Sequence, residues 1–96
     1  MITVMARLKA KPGKENMLAE ELAKLTKVVK EKESGCTMYI PHVSTENPTE
    51  FIFFEKYSDQ NALDIHLETP HFKALAQKFD DLLDAPPVLE ELKELP

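Results

Sequence analysis

Cysteine, glycine and tryptophan are scarce or missing in this chain of 96 residues, which has one cysteine, two glycines and no tryptophan. Because Cys36 has no second cysteine to pair with, no internal disulfide can form, and this favours a reducing compartment such as the cytoplasm. Two glycines are too few for a glycine-rich phosphate-binding loop, and no cysteine–histidine cluster has metal-ligand spacing. The sequence therefore predicts a protein that holds no cofactor and no metal.

Long apolar runs and excess positive charge are missing as well. No apolar run approaches the ~20 residues that span a bilayer, and the first residues lack the pattern of a signal peptide. The chain has 12 basic and 17 acidic side chains, for a net charge of −5. The excess lies in residues 49–96, which carry 4 basic and 11 acidic side chains. This balance argues against a nucleic-acid partner and against docking on an anionic membrane surface.

In the first third of the chain, apolar residues recur first with the spacing of a strand and then with the spacing of a helix. Residues 2–10 alternate apolar and polar side chains, which predicts a strand with one apolar face. A Pro-Gly pair ends this strand, and apolar residues then recur at helical spacing from residue 14 to about residue 32. Gly35 follows, and we expect it in the left-handed conformation that commonly ends a helix.

Two more strands follow. Residues 36–43 contain Pro41, which cannot donate to a ladder, so this strand should lie at a sheet edge or carry a bulge. Residues 50–57 form the strongest strand of the chain, because both of its faces carry large apolar side chains. Counting by two places Glu55 and Tyr57 on the same face as two phenylalanines.

The remaining residues predict two helices and a weak strand. Ser58-Asp59 can cap a short helix that runs to about residue 67. Thr69 and Pro70 form a strong start signal for a second helix, whose apolar stripe continues until two prolines at 86 and 87 break it. Residues 88–95 form a weak fourth strand or an extended tail.

This order of elements predicts an α+β fold, the ferredoxin-like split βαβ sheet, with residues 1–96 as a single domain. A right-handed first crossover should make a parallel pair of the first two strands, and the second and third strands should form a hairpin. Helices can cover only one face of such a sheet, and the third strand is apolar on both faces. We therefore expect a homodimer packed sheet to sheet, because monomers avoid large exposed apolar patches.

Residues that can carry chemistry are concentrated between positions 55 and 72. They resemble the antibiotic biosynthesis monooxygenase family, whose typical pattern is E-x-W/Y, then A-L, then H-x-x-T-P-H-F/Y/M. The matching segments here are Glu55-Lys56-Tyr57, Ala62-Leu63 and His66-Leu67-Glu68-Thr69-Pro70-His71-Phe72. Upstream, the P-G-K at positions 12–14 and the G-C at positions 35–36 also match the family.

The resemblance implies a dimeric α+β barrel and, as leading function, a cofactor-independent monooxygenase that uses O2 on an electron-rich aromatic such as a quinol. Two alternatives stay open. One is an acid–base isomerase of a small carbonyl or sugar phosphate, similar to the family members that process phosphorylated autoinducer-2. The other is a dimer that binds a small ligand without turnover. Haem degradation is disfavoured, since that branch of the family uses a tryptophan and an asparagine on the first strand, and both are missing here.

The candidate catalytic residues are His66 as general base, with Tyr57 and His71 as hydrogen-bonding groups. A histidine suits proton transfer because its ordinary pKa of about 6.5 lies near cellular pH. Each also has a structural interpretation: both histidines can close a helix end, and Tyr57 can fill the core. We expect the inward-facing His66 to find its partner in Glu55 or Tyr57. The spacing of the two histidines across a helix break argues against a metal site.

The candidate substrate-binding residues are Glu55, Tyr39 and Phe72. A carboxylate between phenylalanines should be hydrogen-bonded or have a raised pKa, although a structural salt bridge would also explain Glu55. Cys36 is expected to be inert, because nothing next to it in sequence would lower its pKa.

Overall fold

The computed structural model describes residues 1–96 as four strands and four helices. The elements in chain order are β1 (Ile2–Lys9), α1 (Glu15–Lys32), β2 (Cys36–Val43), β3 (Glu50–Tyr57), α2 (Gln60–Glu68), α3 (Pro70–Ala76), α4 (Phe79–Leu82) and β4 (Val88–Leu92). This order confirms the expected ferredoxin-like α+β fold. No helix is long and apolar enough to cross a membrane.

The four strands form one antiparallel sheet in the order β2-β3-β1-β4. Strand β3 lies between β1 and β2, so these two strands run in the same direction without pairing. The expected hairpin of β2 and β3 is confirmed. The expected pairing of β1 with β2 is wrong, because the two strands are parallel but not adjacent. The connection through α1 leaves one strand position between them, and β3 occupies it.

Strand β2 is an edge strand, as its proline predicts. Pro41 lies opposite Phe53, and the register of the β2–β3 pair shifts between Cys36 and Met38. The edge position removes the need for a second set of ladder hydrogen bonds, so the proline costs nothing there.

Helix α1 packs its predicted apolar stripe on the sheet. Its buried residues recur at the expected spacing and are Leu18, Leu22, Leu25 and Val29. They meet the apolar face of β1 and the phenylalanines of β3 in a core of 13 residues. The other face of the sheet has no helical cover, and it carries half-buried Met5, Ile52 and Phe54.

Strand β3 alternates without interruption between half-buried and buried residues. Its buried residues are Phe51, Phe53, Glu55 and Tyr57, which confirms that the carboxylate shares the helix-covered face with the aromatic rings. Glu55 therefore lies inside the core, with only 5% of its surface exposed.

The long helix expected after Thr69 is instead two short ones. The Thr69 side chain caps α3 by accepting from the backbone N–H of Phe72. The amide of Lys78 then bonds to the carbonyl of Leu75, three residues back, which tightens the chain and ends α3. Helix α4 ends well before the prolines because Leu83 becomes extended and bridges to Ala10 beside the sheet.

Gly35 does not adopt the left-handed conformation expected for it; the only residue with positive φ is Gly13, at 86°. Gly35 is required for another reason. A Cβ built at this position would lie 2.7 Å from the Cβ of Ala62, so the chain passes against α2 without room for a side chain. This contact brings the end of α1 close to α2.

Candidate active site

A cavity of about 210 Å³ lies between the sheet and the helices. It has 16 lining residues, of which 13 are hydrophobic, and no lysine or arginine is among them. The polar groups that reach it come from three elements: Tyr39 on β2, Glu55 on β3 and His66 on α2. An apolar chamber with a few converging polar groups is the usual form of a small-molecule site.

His66 is the most enclosed polar group of this cavity, with 2% of its surface exposed. Its ring packs among three aromatic rings, with centroid distances of 5.3 Å to Tyr39, 5.5 Å to Tyr57 and 5.1 Å to Phe72. The face of α2 that carries His66 also carries Leu63, three residues earlier, which lines the same cavity. The expectation that His66 points inward among apolar groups is confirmed.

The two nitrogens of the His66 ring have different surroundings. Nδ1 lies 2.9 and 3.0 Å from the two carboxylate oxygens of Glu33. Nε2 has no hydrogen-bond partner in the protein. Every fully buried side-chain nitrogen or oxygen atom does have a partner, so Nε2 is not fully buried and borders open space. The space that His66 lines is the cavity. A carboxylate on Nδ1 fixes the proton there and leaves the lone pair of Nε2 free to accept one.

Glu33 also binds the second histidine of the motif. Its Oε2 lies 2.5 Å from Nε2 of His71, so one carboxylate bridges two imidazoles. The side chain of Glu33 is 6% exposed and that of His71 is 16% exposed. The expected partner of His66 was Glu55 or Tyr57, and that prediction is wrong: the partner comes from the end of α1.

Sequence reasoning missed Glu33, although it leaves one signal. It is the residue that follows α1, where the helix dipole disfavours a negative charge and where the last turn carries Lys30 and Lys32. An acidic side chain at such a position needs a cationic or hydrogen-bonding partner, and the two histidines of the motif supply it.

Burial controls the protonation of His66. Desolvation lowers its pKa below the ordinary value of 6.5, while the Glu33 carboxylate acts in the opposite direction and His71 adds to the lowering. At neutral pH the imidazole is therefore uncharged. An uncharged imidazole with a free Nε2 is the form that accepts a proton.

A second pair of polar groups lies on β3. The hydroxyl of Tyr57 donates a hydrogen bond of 2.5 Å to Oε1 of Glu55. Burial raises the pKa of Glu55 to about 7, although the bond from Tyr57 lowers it and the charge of Glu33 raises it further. Burial also raises the pKa of the two phenols, Tyr39 and Tyr57, so both stay protonated. Glu55 can therefore carry a proton near neutral pH and donate it in a hydrogen bond, while the Tyr57 hydroxyl stays hydrogen-bonded to it.

Four of the six predicted site residues line the cavity, and they are Tyr39, Glu55, His66 and Phe72. Tyr57 lies behind this lining, fully buried, with its ring against His66 and its hydroxyl on Glu55. His71 does not reach the cavity. It lines an open groove on the outside of the molecule, and the groove has a volume of about 460 Å³.

Cys36 borders the same groove and is half-buried. Burial, with help from the charges of Glu33 and Glu55, raises its thiol pKa from 9.0 to about 11. The thiol is therefore not activated, as expected. No group of three or more His, Cys, Asp or Glu side chains is placed to hold a metal ion.

Two curated proteins are similar to this chain in sequence. A 34% identical protein of Synechocystis, "Uncharacterized protein sll1783", matches over 88 residues; the match covers 88% of this chain, which spans only 57% of that relative. "Probable quinol monooxygenase YgiN" of Escherichia coli K12 is 31% identical over 87 residues, covering 80% of this chain and 83% of that protein.

Several solved structures are similar to this chain in fold. The crystal structure of PA3566 from Pseudomonas aeruginosa superposes with a TM-score of 0.91 at 28% identity, covering 99% of this chain and 94% of that chain. A crystal structure described as "antibiotic biosynthesis monooxygenase" gives a TM-score of 0.91 at 26% identity, with both chains covered completely (100% each). The family model described as "Antibiotic biosynthesis monooxygenase" matches residues 1–78. The chain belongs to the antibiotic biosynthesis monooxygenase family.

Proposed function

We propose that this protein is a cofactor-independent monooxygenase that oxidises a small hydroquinone with O2 in its apolar cavity. The observation that carries the proposal is the state of His66: its Nδ1 is engaged by Glu33, its Nε2 has no hydrogen-bond partner, and the residue lines a mainly hydrophobic cavity. A neutral imidazole in that position is ready to take a phenolic proton. The name of the Escherichia coli relative supports a quinol as substrate class.

The proposed reaction begins when Nε2 of His66 accepts the proton of a substrate hydroxyl. The resulting anion is electron-rich and passes an electron to O2, after which a carbon–oxygen bond forms on the ring. A hydroquinone and O2 become a hydroxylated quinone and water, so one oxygen atom enters the ring and the other is reduced to water. The substrate supplies all the electrons, and no bound redox group is needed. The apolar walls keep water away from the charged intermediate.

Glu55, Tyr39 and Phe72 are the proposed substrate-binding residues. Glu55 lines the cavity and has a pKa of about 7, so its protonated form can donate to a second substrate oxygen while Tyr57 holds it in place. Tyr39 and Phe72 flank His66 and offer aromatic faces to a flat ring. An apolar cavity of about 150 Å³ accommodates benzene, so a cavity of about 210 Å³ suits a single substituted ring.

The lining of the cavity favours this function over a sugar-phosphate isomerase. A phosphate needs a cationic partner, and no lysine or arginine lines the cavity. Arg7 is exposed on β1 and pairs with Ile52 and Val88, on the sheet face away from the helices. Lys56 binds Thr3 and Glu94 on that same outer face.

The working unit that we propose is a homodimer of single-domain chains in the cytoplasm. The sheet face without helical cover carries half-buried Met5, Ile52 and Phe54, which a second sheet would cover. The lone Cys36 leaves no internal disulfide, as suits a reducing compartment.

The test is consumption of O2 by the purified protein with a panel of substituted hydroquinones. We expect uptake of one O2 per substrate and formation of a hydroxylated quinone, identified by mass spectrometry with ¹⁸O2. The variant His66→Asn should lose most of this activity, and the matched variant His42→Asn, at an exposed histidine of β2, should keep it. Binding of hydroquinones without O2 uptake would instead support a ligand-binding protein and contradict the proposal.

A further inference from the structure

The bridge His66–Glu33–His71 joins two separate spaces. His66 lines the apolar cavity and not the outer groove, and His71 lines the outer groove and not the cavity. Glu33 lies between them, within 3.0 Å of one ring and 2.5 Å of the other. The three side chains thus form a continuous line of hydrogen bonds from the apolar cavity to the outer groove.

A base in this cavity has to hold a proton between its removal from the substrate and the formation of water. When Nε2 of His66 takes a proton, the ring becomes an imidazolium among Tyr39, Tyr57 and Phe72, where desolvation disfavours charge. The cavity offers one further titratable carboxyl group, Glu55, which already accepts from Tyr57. The hydrogen bonds that lead from His66 to the outer groove start at its Nδ1.

We propose that Glu33 and His71 form a proton relay between His66 and the groove, which takes the substrate proton out while the anion reacts with O2 and returns a proton when water forms. This inference rests on the proposed function, because it assigns the exit path of the proton that His66 removes from substrate. Glu33 and His71 are then positioning and proton-conducting residues, and neither touches the substrate.

The steps balance over one turnover, because every hydrogen of the hydroquinone ends in the hydroxylated quinone or in water. In the proposed resting cluster, His66 carries its proton on Nδ1, and one proton lies between Glu33 and His71, whose nearest oxygen and nitrogen atoms are 2.5 Å apart. As the substrate proton arrives on Nε2, the Nδ1 proton moves to Oε1 of Glu33, the shared proton settles on Nε2 of His71, and His71 releases its Nδ1 proton to the groove. When the second oxygen atom of O2 is reduced to water, the same transfers run in reverse, and His66 gives its Nε2 proton to that oxygen. This return restores the resting cluster, and the relay itself moves no electrons.

The surroundings of His71 suit proton release. The groove has an open, polar wall that includes charged Lys32 and Asp59 and the hydroxyls of Ser34 and Ser58. The half-buried thiol of Cys36 also borders it and stays protonated at neutral pH. A positive charge at this end is exposed to solvent screening, whereas the same charge on His66 is not.

The first experiment measures kcat for hydroquinone oxidation by His71→Ala with and without imidazole in the buffer. We expect kcat to fall about tenfold, less than for loss of the base itself, and KM to stay unchanged. Imidazoles should restore kcat, and the restored rate should follow the pKa of the added imidazole across a series of substituted imidazoles. His42→Ala, at the histidine outside the cluster, should be unchanged in kcat and should not respond.

Two results would overturn the relay. One is a kcat for His71→Ala within twofold of wild type. The other is a loss of kcat that imidazoles do not repair, or repair to the same extent whatever their pKa, because a purely structural gap has no reason to depend on basicity. If His71→Ala does not fold, His71→Gln and Glu33→Gln are measured against the same criteria of kcat loss and unchanged KM.

A second measurement does not depend on turnover. Nitrogen-15 spectra of labelled histidines report the protonation of each ring, and we expect the His66 titration to shift in Glu33→Gln and in His71→Gln. A protein that shows these shifts but consumes no O2 with any hydroquinone would contradict the proposed function and leave the proton coupling intact. A protein that consumes O2 while His66 titrates identically in wild type and both variants would contradict the relay alone.

Discussion

The Tyr57 hydroxyl donates a hydrogen bond of 2.5 Å to Oε1 of Glu55, two positions earlier on the same face of β3. Both residues are buried, so the carboxyl group has a phenol as its fixed donor and aromatic rings as its other neighbours. Burial raises its pKa to about 7 and lowers the pKa of His66, on the facing helix, below 6.5. The two groups act on the stability of the fold with opposite signs.

The pH dependence of stability tests these opposite signs. The pKa of Glu55 rises from an ordinary 4.5 to about 7 on folding, so its contribution is fully present below pH 4.5 and is lost as pH rises toward 7. This shift corresponds to about 3 kcal/mol. The pKa of His66 falls below 6.5, so its contribution is present above pH 6.5 and is lost on acidification. Just below pH 6.5 the two slopes oppose each other.

Single variants should separate these slopes. In Glu55→Gln, the free energy of unfolding should rise more steeply with pH between 4.5 and 6.5 than in wild type. In His66→Asn, it should fall with pH over the same range. Urea denaturation at half-unit pH steps measures both, and parallel curves for wild type and the two variants would show that neither group has a shifted pKa.

Removing the phenolic donor should change the titration of Glu55. The bond from Tyr57 lowers the pKa of this carboxyl, so Tyr57→Phe should raise it above about 7. Carbon-13 NMR of the glutamate side chains across pH 5–9 reports the value directly. Tyr39→Phe, at a buried tyrosine that makes no hydrogen bond to Glu55, is the matched control and should leave this titration close to that of wild type.

The close approach of Gly35 to α2 predicts a compensating pair of substitutions. Gly35→Ala places a methyl group 2.7 Å from the Cβ of Ala62, which should lower the free energy of unfolding by about 1–3 kcal/mol. Ala62→Gly alone should cost about 1 kcal/mol, the usual penalty of glycine in a helix. The double variant should be more stable than the sum of the two losses implies.

Gly13→Ala serves as a control for this pair, because nothing lies within 4 Å of its Cβ position and its cost comes from the backbone φ of +86°. Additive losses at 35 and 62 in chemical denaturation would contradict the steric explanation.

Substitutions of His66 should lower kcat much more than they lower the free energy of unfolding. Removal of a general base costs about 10²–10⁴ in rate, so folded His66→Ala and His66→Asn should show kcat lower by that factor. If His66 only packs, His66→Ala should lower stability by about 1–3 kcal/mol and leave the rate per folded molecule near normal. Thermal melting and O2 uptake measured on the same samples distinguish the two outcomes.

The sheet face without helical cover predicts the oligomeric state. At micromolar concentration we expect a mass near twice 10.9 kDa by analytical ultracentrifugation. Phe54→Glu, on that face, should yield a monomer, because a carboxylate cannot be buried there without a partner. Ile65→Glu, at a residue of α2 that is 54% exposed, should remain a dimer. A monomeric wild type would end this prediction.

Local patterns in the sequence determined where most elements lie. Alternation by two placed Glu55 and Tyr57 on the buried face of β3, because side chains of a strand point to opposite sides in turn. Thr69 before Pro70 determined where α3 begins, because a side-chain oxygen and a preset φ satisfy the first turn of a helix. These outcomes depend on neighbours in sequence, so the sequence alone was enough.

Only the tertiary structure decided which groups meet. Glu33 and His66 are 33 residues apart, and their contact depends on how the end of α1 approaches α2, which in turn depends on the missing side chain at Gly35. The same packing directs His66 to the cavity and His71 to the outer groove, although both belong to one short motif. Local preferences have no information on such distances, because the contacts form only when helices and sheet pack together and bury their apolar faces.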